Sequence, residues 1–528
     1  MANQSGSLSD QPEAAAFVAD VPPELVAIRT DKSFFGHPRG LSTLFFTEMW
    51  ERFSFYGIRP MLITFMIVAL TDGGAFGFDR GTAGSILGVY AASVYLTSLP
   101  GGWIADRWLG LQRAVFWGGV LIALGHLSVA LSGMLGKPVF FLGLILIVMG
   151  TGLLKPNVSA MVGDLYADKG ARRDAGFSVF YMGINLGATL GPLVTGFLRN
   201  SAGYHYGFGA AGVGMLIGVI QYRLRAGKTL GPVGTKPNGT PGQARAVKIF
   251  CVAFCVAVVA VIGLAAINVL VFNAKVVASM MVYLEVGAAL LYFAYLFFFA
   301  GLDKDEMKRV AVIGVLFAFA AIFWSGFEQA PSSLNLFAKD FTERHLFGFE
   351  VPFEWLQVVN SFFVVAFAPV FAWIWMTLAK RNITPSSPAK FSFGLFCAGL
   401  GFLVMVPPVR AVVASGGTLK VSMLWLTFSY ILQTFGELSL SPVGLSSMTK
   451  LAPPRFSGQM MGVWFLAASL GNLIAGIVGG DVDPEKLDAM TPLFVRTTGS
   501  LFIASVIALL LVKPISNMMK TSSAAGGH

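Results

Sequence analysis

The chain has 528 residues, of which 55% are hydrophobic and only 12% charged, with a formal net charge of +10. A soluble protein carries roughly 25% charged residues, so this chain has about half the charge needed for a wetted surface. That balance excludes a soluble enzyme or a soluble nucleic-acid-binding domain, and it describes a protein that crosses a bilayer many times.

Residues 1–40 are polar and proline-bearing, with no apolar signal segment ahead of the first span; they read as a disordered cytoplasmic tail. A helical span needs about 20 mostly apolar residues to cross a hydrocarbon core of about 30 Å. Such stretches fall near 41–70, 82–104, 113–133, 139–162, 174–197 and 205–224, then near 248–272 and 277–301. Six more lie near 310–337, 357–380, 391–410, 421–446, 456–479 and 495–514. The predicted class is an all-α membrane protein of fourteen transmembrane helices, arranged six, two and six. Its divisions are a tail at 1–40, a six-helix bundle at 41–225, a linker with a two-helix insertion at 226–305, a second bundle at 306–514, and a cytoplasmic tail at 515–528. The halves are numbered here as spans one to six and seven to twelve.

Placing the N-terminus in the cytoplasm puts roughly 24 of the Lys and Arg residues on inner loops and roughly 10 on outer ones, as the positive-inside rule requires. The inner clusters include Lys169, Arg172 and Arg173, then Lys304, Lys308 and Arg309. The positive balance is therefore a topology signal that meets lipid, with no basic face for nucleic acid. Both termini are expected in the cytoplasm. Residues 226–247 are rich in Gly, Pro and Thr and read as a flexible linker. The pair at 248–301 reads as peripheral, and its Glu285 as incidental, because its span offers no partner. Cys251, Cys255 and Cys397 fall in apolar spans without metal-ligand spacing and read as small core residues.

Charges inside spans are costly and mark ion or substrate paths. Arg52, Arg59 and Lys155 lie in the first half, Glu328 and Glu437 at related places in the second. Span one carries Trp50-Glu51-Arg52 through Arg59-Pro60; span seven answers with Trp324 and Glu328 ahead of Pro331. Span four has Lys155-Pro156, and span ten has Glu437 with Ser441-Pro442. Matching polar positions in two halves are the mark of transporters built from structural repeats, with the site at the repeat interface. On span one Glu48, Glu51, Arg52, Phe55, Tyr56 and Arg59 share an arc of about 140° at about 100° per residue. A charge pair across two bundles holds only while they touch, since separation strands buried charge. Protonating Glu328 or Glu437 neutralises one partner and lets such a gate open.

The ordered motifs carry a family resemblance. Glu48-Met49-Trp50-Glu51-Arg52 followed by FSFYG, GGWIADRWLG at 101–110, GTGLLKPNVSAMVG at 150–163, FYMGINLG at 180–187 and GELSLSPVG at 436–444 resemble the proton-dependent oligopeptide transporters of the major facilitator superfamily, in their prokaryotic form with an extra helix pair. The resemblance covers residues 40 to 514 and implies two six-helix bundles around a polar cavity. It implies proton-driven import of di- and tripeptides by a monomer in the bacterial inner membrane, with no cofactor. Glu48, Glu51, Arg52, Lys155 and Glu328 would couple protons. Arg59 with Glu328 would form the outer gate, and Lys155 with Glu437 the inner one. The peptide's amino terminus would meet Glu437 and its carboxylate Arg59 and Lys155. Tyr56, Tyr95, Tyr181, Asn185, Asn360 and Ser441 would line the cavity, with Trp324 and Trp464 shaping side-chain pockets. One departure stands out: Phe55 occupies a position where the family commonly has tyrosine.

Structural alternatives stand beside these roles. The alternative for Glu51 is a within-helix partner of Arg52, for Trp324 and Trp464 a packing aromatic, and for Tyr56, Tyr95 and Tyr181 a buried hydroxyl satisfied by a neighbour. Asp106 and Arg107, in a cytoplasmic turn after span two, read as a conformational latch. His126 and His205 carry no proton role. No phosphate-cradling G-x-x-x-x-G-K-[ST] occurs, which argues against direct ATP drive. Two other functions share the fold: carriage of nitrate or another small anion, which would need no negative pole at Glu437, and proton-driven drug export.

Overall fold

The computed structural model describes residues 22–68, 76–167, 170–267, 269–381, 383 and 385–515. The first half comprises span one (Arg39–Ile67), span two (Arg80–Leu96, extended through Ser98–Ile104 and a π-turn at Ala105–Leu109), span three (Leu111–Leu135), span four (Lys137–Asp164), span five (Ala171–Ala202) and span six (Tyr204–Thr229). Two inserted helices follow, Pro241–Ala266 and Ala274–Phe298. The second half is span seven (Lys304–Phe327), span eight (Trp355–Lys380), span nine (Ser387–Ala414), span ten (Leu424–Leu451), span eleven (Ser457–Gly479) and span twelve (Leu487–Leu510). Among the described residues, 12 helices are long and apolar enough to cross a membrane. Spans one and ten complete the expected fourteen: at 29 and 28 residues they have the length, and the polar residues of the site set them apart.

Span one packs on spans five and six, and span three on four and six; in the second half span seven packs on eleven and span nine on ten and twelve. The bundles meet where span two lies along span eleven and span five along span eight. Glycines make the first seam possible. A Cβ at Gly88 would lie 3.1 Å from the carbonyl oxygen of Asn472, and one at Gly476 would lie 2.5 Å from Gly88 Cα. Apolar side chains clothe the outside, as lipid contact demands: Val259 and Leu291 on the inserted helices are 69% and 74% exposed.

The face where span one begins is called here the basic face, and the opposite one the far face. On the basic face two expectations change. Residues 23–30 form a helix, so the ordered chain begins well before residue 40. Arg172 donates to the carbonyls of Arg29 and Asp31 at 2.7 and 2.5 Å, satisfying acceptors that a short helix leaves open at its C-terminus. Residues 1–21 and 516–528, which hold most of the expected tails, lie outside the described residues.

The segment after span six is likewise fixed, not flexible. Leu230 and Val233 are buried, and Gln112 donates to the carbonyls of Gly231 and Val233 at 2.9 and 2.7 Å. Gly110 answers it across the contact. Its φ of 77° suits glycine, and a Cβ there would lie 2.6 Å from the Thr235 carbonyl oxygen. The next helix then starts on a capping box of Thr240 and Gln243 with Pro241 at its first turn. Of the cysteines, Cys397 is buried as expected, but Cys255 is exposed on the lipid-facing side of the first inserted helix.

Candidate functional site

The polar stripe of span one is sealed inside the protein. Glu48, Glu51, Arg52, Phe55 and Arg59 are all buried, because span one lies central in its bundle with neighbours around it. Arg52 sits between two carboxylates: its Nε is 3.2 Å from Glu48 Oε1 and forms a short ion pair with Glu51. Two acids around one base leave an excess of negative charge, and Glu48 Oε2 and Glu51 Oε1 are buried without a protein partner. Phe55 occupies the space between the two arginines, its ring centroid 5.1 Å from Arg52 Cζ and 5.2 Å from Arg59 Cζ. Both guanidiniums therefore meet an aromatic face, an interaction that strengthens as water is removed.

Seven residues beyond Arg52, two turns of helix, Arg59 reaches the other bundle. Its Nη2 donates to Glu328 Oε2 at 2.6 Å and to Asn472 Oδ1 at 3.1 Å. Glu328 ends span seven, where the helix gives way to Pro331 and the helix Ser333–Asp340. The expected Arg59–Glu328 pair is thus present and buried. Sequence reasoning missed the groups that reinforce it. Asn335 donates to the Pro60 carbonyl at 2.8 Å. At the far face Arg80 pairs with Asp340 at 2.6 Å, and Arg199 of span five pairs with Glu354 ahead of span eight at 2.7 Å. Trp355 Nε1 adds a bond to the Leu193 carbonyl at 3.0 Å. Asn472 lay in the Gly-rich stretch of span eleven and was the most findable of these. Arg199 and Glu354 sit at helix ends, where charge is unremarkable in sequence.

Toward the basic face the picture reverses. Among the described residues no ion pair joins the bundles there, and Lys155 and Glu437 are not paired. Lys155 Nζ instead lies 4.4 Å from the centroid of the Tyr95 ring, while Glu437 accepts from Asn360 Nδ2 at 3.1 Å. Asn360 also donates to Thr434 Oγ1 at 2.9 Å, so spans eight and ten are tied together beside Glu437. Lys155, Glu437, Ser441 and Tyr56 are half-buried, and Tyr181 is 46% exposed. The conformation is closed at Arg59 and parted between Lys155 and Glu437.

The remaining expected residues divide. Asn185 is buried and donates to the Tyr181 carbonyl one turn back on its own helix. Trp324 is half-buried with Nε1 unpartnered, packed edge-on against Phe323 and Phe327. Trp464 is 5% exposed and fills the space above Gly444, a packing position in this conformation. Asp106 and Arg107 form part of a helical π-turn; Arg107 Nη1 donates to Gln243 at 3.0 Å, joining span two to the insertion.

Residues 112–486, more than half of the chain, match the POT family. The chain belongs to that family. It is 48% identical to the peptide transporter YePEPT of Yersinia enterocolitica, across 93% of this chain and 97% of that protein. It is 36% identical to a di-/tripeptide transporter of Lactococcus lactis subsp. cremoris, across 93% and 98%. Among solved structures it resembles the peptide transporter POT in complex with sulfate, with a TM-score of 0.85 at 38% identity across 94% of this chain and 99% of that one. A POT family transporter in complex with 5-aminolevulinic acid gives 0.83 at 35%, across 92% and 98%. The protein is therefore a multi-pass membrane transporter with the major facilitator fold, not an enzyme.

Proposed function

We propose that this POT family member is a symporter that brings di- and tripeptides into the cell with protons, by alternating access of its two bundles. The observation that carries the reading is the asymmetric closure: Arg59, Glu328 and Asn472 bridge the bundles while Lys155 and Glu437 stand apart. Its relatives' names, a peptide transporter and a di-/tripeptide transporter, support the substrate class. A dipeptide is a zwitterion with fixed end spacing. A cavity with cations at Arg59 and Lys155 and an anion at Glu437 orients it through its ends while leaving side chains free to vary.

In this scheme the protein lies in the bacterial inner membrane, the basic face is cytoplasmic, the structure is closed to the outside, and both termini are cytoplasmic. The proton gradient drives the cycle without a bound cofactor, and one chain suffices. Each charge moved through 100 mV releases about 2.3 kcal/mol, enough for steep accumulation. Glu328 is the principal proton site: a proton there removes one partner of Arg59 and frees the guanidinium for the peptide carboxylate. Glu48 and Glu51, each with an unpartnered oxygen beside Arg52, hold or relay the proton, with Lys155 nearby. Tyr56, Tyr95, Tyr181, Asn185, Asn360 and Ser441 line the path, and Trp324 and Trp464 bound side-chain pockets as the bundles move.

The test is uptake of labelled dialanine into proteoliposomes, acid outside and interior negative. Accumulation that a protonophore abolishes and other dipeptides compete, but free alanine does not, supports the reading. Glu328→Gln is expected to lose proton-driven accumulation and keep exchange of labelled for unlabelled peptide. If accumulation survives that substitution, the proton site lies elsewhere.

A further inference from the structure

The inserted helix pair lies outside the repeat that builds the cavity, yet its one buried acid reaches the seam between the bundles. Glu285, midway along the second inserted helix, is 5% exposed although most of that helix faces lipid. The helix packs on both span two and span eleven. Glu285 Oε1 is 2.8 Å from Ser469 Oγ of span eleven, and the same Oγ is 3.1 Å from the Ala92 carbonyl oxygen of span two. The expectation that this acid has no partner is therefore corrected: its partner lies in the second bundle, 184 positions away in sequence.

Counting protons across this bridge decides its chemistry. A serine hydroxyl has one hydrogen, and a carbonyl oxygen can only accept. One hydroxyl hydrogen cannot make both bonds in full, so the contacts at 2.8 and 3.1 Å are both full hydrogen bonds only when the carboxyl supplies the second hydrogen. Among the described residues no cation pairs with the acid. Span eleven bears no titratable residue. On span two, Arg80 is engaged with Asp340 and Asp483, Tyr90 stacks on Phe55, and Tyr95 meets Lys155. Span seven's Lys304, Asp305, Glu306, Lys308 and Arg309 lie at its basic end, and Glu328 at its far end is held by Arg59. On its own helix Lys275 pairs with Asp79 at the far face, and Tyr283, Tyr292 and Tyr295 complete the titratable groups. An uncompensated carboxylate in such a place would cost far more than a protonated acid.

We infer that Glu285 is a positioning residue which, carrying a proton, locks spans two and eleven together through Ser469 and so holds the outer side closed. Ser469 lies one turn from Asn472, the residue that also holds Arg59, so the bridge and the outer gate share one stretch of helix. The inserted pair is thereby a brace on the conformational equilibrium. The inference goes beyond the transport reading, since it concerns which conformation the protein prefers whatever it carries.

Spin labels at the outer ends of spans two and eleven, on a background with Cys251, Cys255 and Cys397 replaced, report the seam without substrate. Monodisperse Glu285→Ala and Ser469→Ala proteins are expected to add a longer-distance population that the parent lacks. Glu285→Gln is expected to keep the parental distribution, because its amide donates to Ser469 without a charge. Infrared spectra of the parent should carry a protonated-carboxyl band that Glu285→Gln removes. An unchanged distribution in Glu285→Ala, a Glu285→Gln protein as open as Glu285→Ala, or absence of that band would each overturn the inference.

Discussion

Single side chains divide the charges of this protein into those that hold a shape and those that release one. Arg59 has two acceptors in the opposite bundle, while Lys155 has an aromatic ring and no acid. The difference matters because a buried pair is costly to make and more costly to break. Phe55 belongs to the same economy. This chain has a plain ring between two guanidiniums, which screens them from each other without competing for their acceptors. At the basic face, burial and the nearby Arg172 both hold the His37 imidazole below its ordinary range, and its Nδ1 bonds the Tyr166 hydroxyl at 2.9 Å. A depressed histidine pKa favours the neutral form when folded, so its stabilisation is complete above the unfolded value of 6.5 and is lost as pH falls through the lower folded value. The parent should therefore lose thermal midpoint between pH 7.5 and 5.5, and His37→Gln should lose less. Equal losses in the two proteins would remove His37 from the account.

At the scale of helices, closure is shared among pairs of spans, and each pair can be weakened separately. Arg199 and Glu354 join spans five and eight with the acid fully buried. Arg199→Ala strands that carboxylate, a change that typically costs about 3–5 kcal/mol. The thermal midpoint should fall clearly, and spin labels on spans five and eight should separate at the far face. A neutral effect on both would show that Glu354 finds another partner. The seam of spans two and eleven depends on size instead of charge. Gly476→Val would drive a side chain onto Gly88 and the Gly84 carbonyl. It should trap the far face open, so a cysteine placed beside Asn472 reacts with an external thiol reagent and peptide uptake stops. Normal uptake would show that the seam tolerates a wider spacing.

For the whole molecule, the bundles are joined by Arg59 and Glu328 on one side, while Lys155 and Glu437 stand apart on the other. Closure at Arg59 is thus compatible with an open gap at Lys155 and Glu437, as the proposed alternating access requires. The same logic gives the insertion a purpose. A brace attached to both bundles by one neutral bridge can bias the balance without blocking the cavity.

The span count, the two bundles, the polar stripe of span one and the buried charges at Arg59 and Glu328 were legible in the sequence, while the pairing of those two came from the family resemblance. They rest on apolar length and on charges too costly to bury without purpose. The same reasoning placed Glu437 in the site, though not Asn360 as its hydrogen-bond partner. Other features required the tertiary structure. Gln112 orders the segment after span six, Arg172 caps the helix at Pro23–Thr30, and Ser469 gives Glu285 its partner. Each depends on a polar atom more than a hundred residues away, and no local periodicity records that distance. Which gate is closed also belongs to the fold alone: the sequence holds both charge pairs, and only the relative placement of the bundles decides which pair meets.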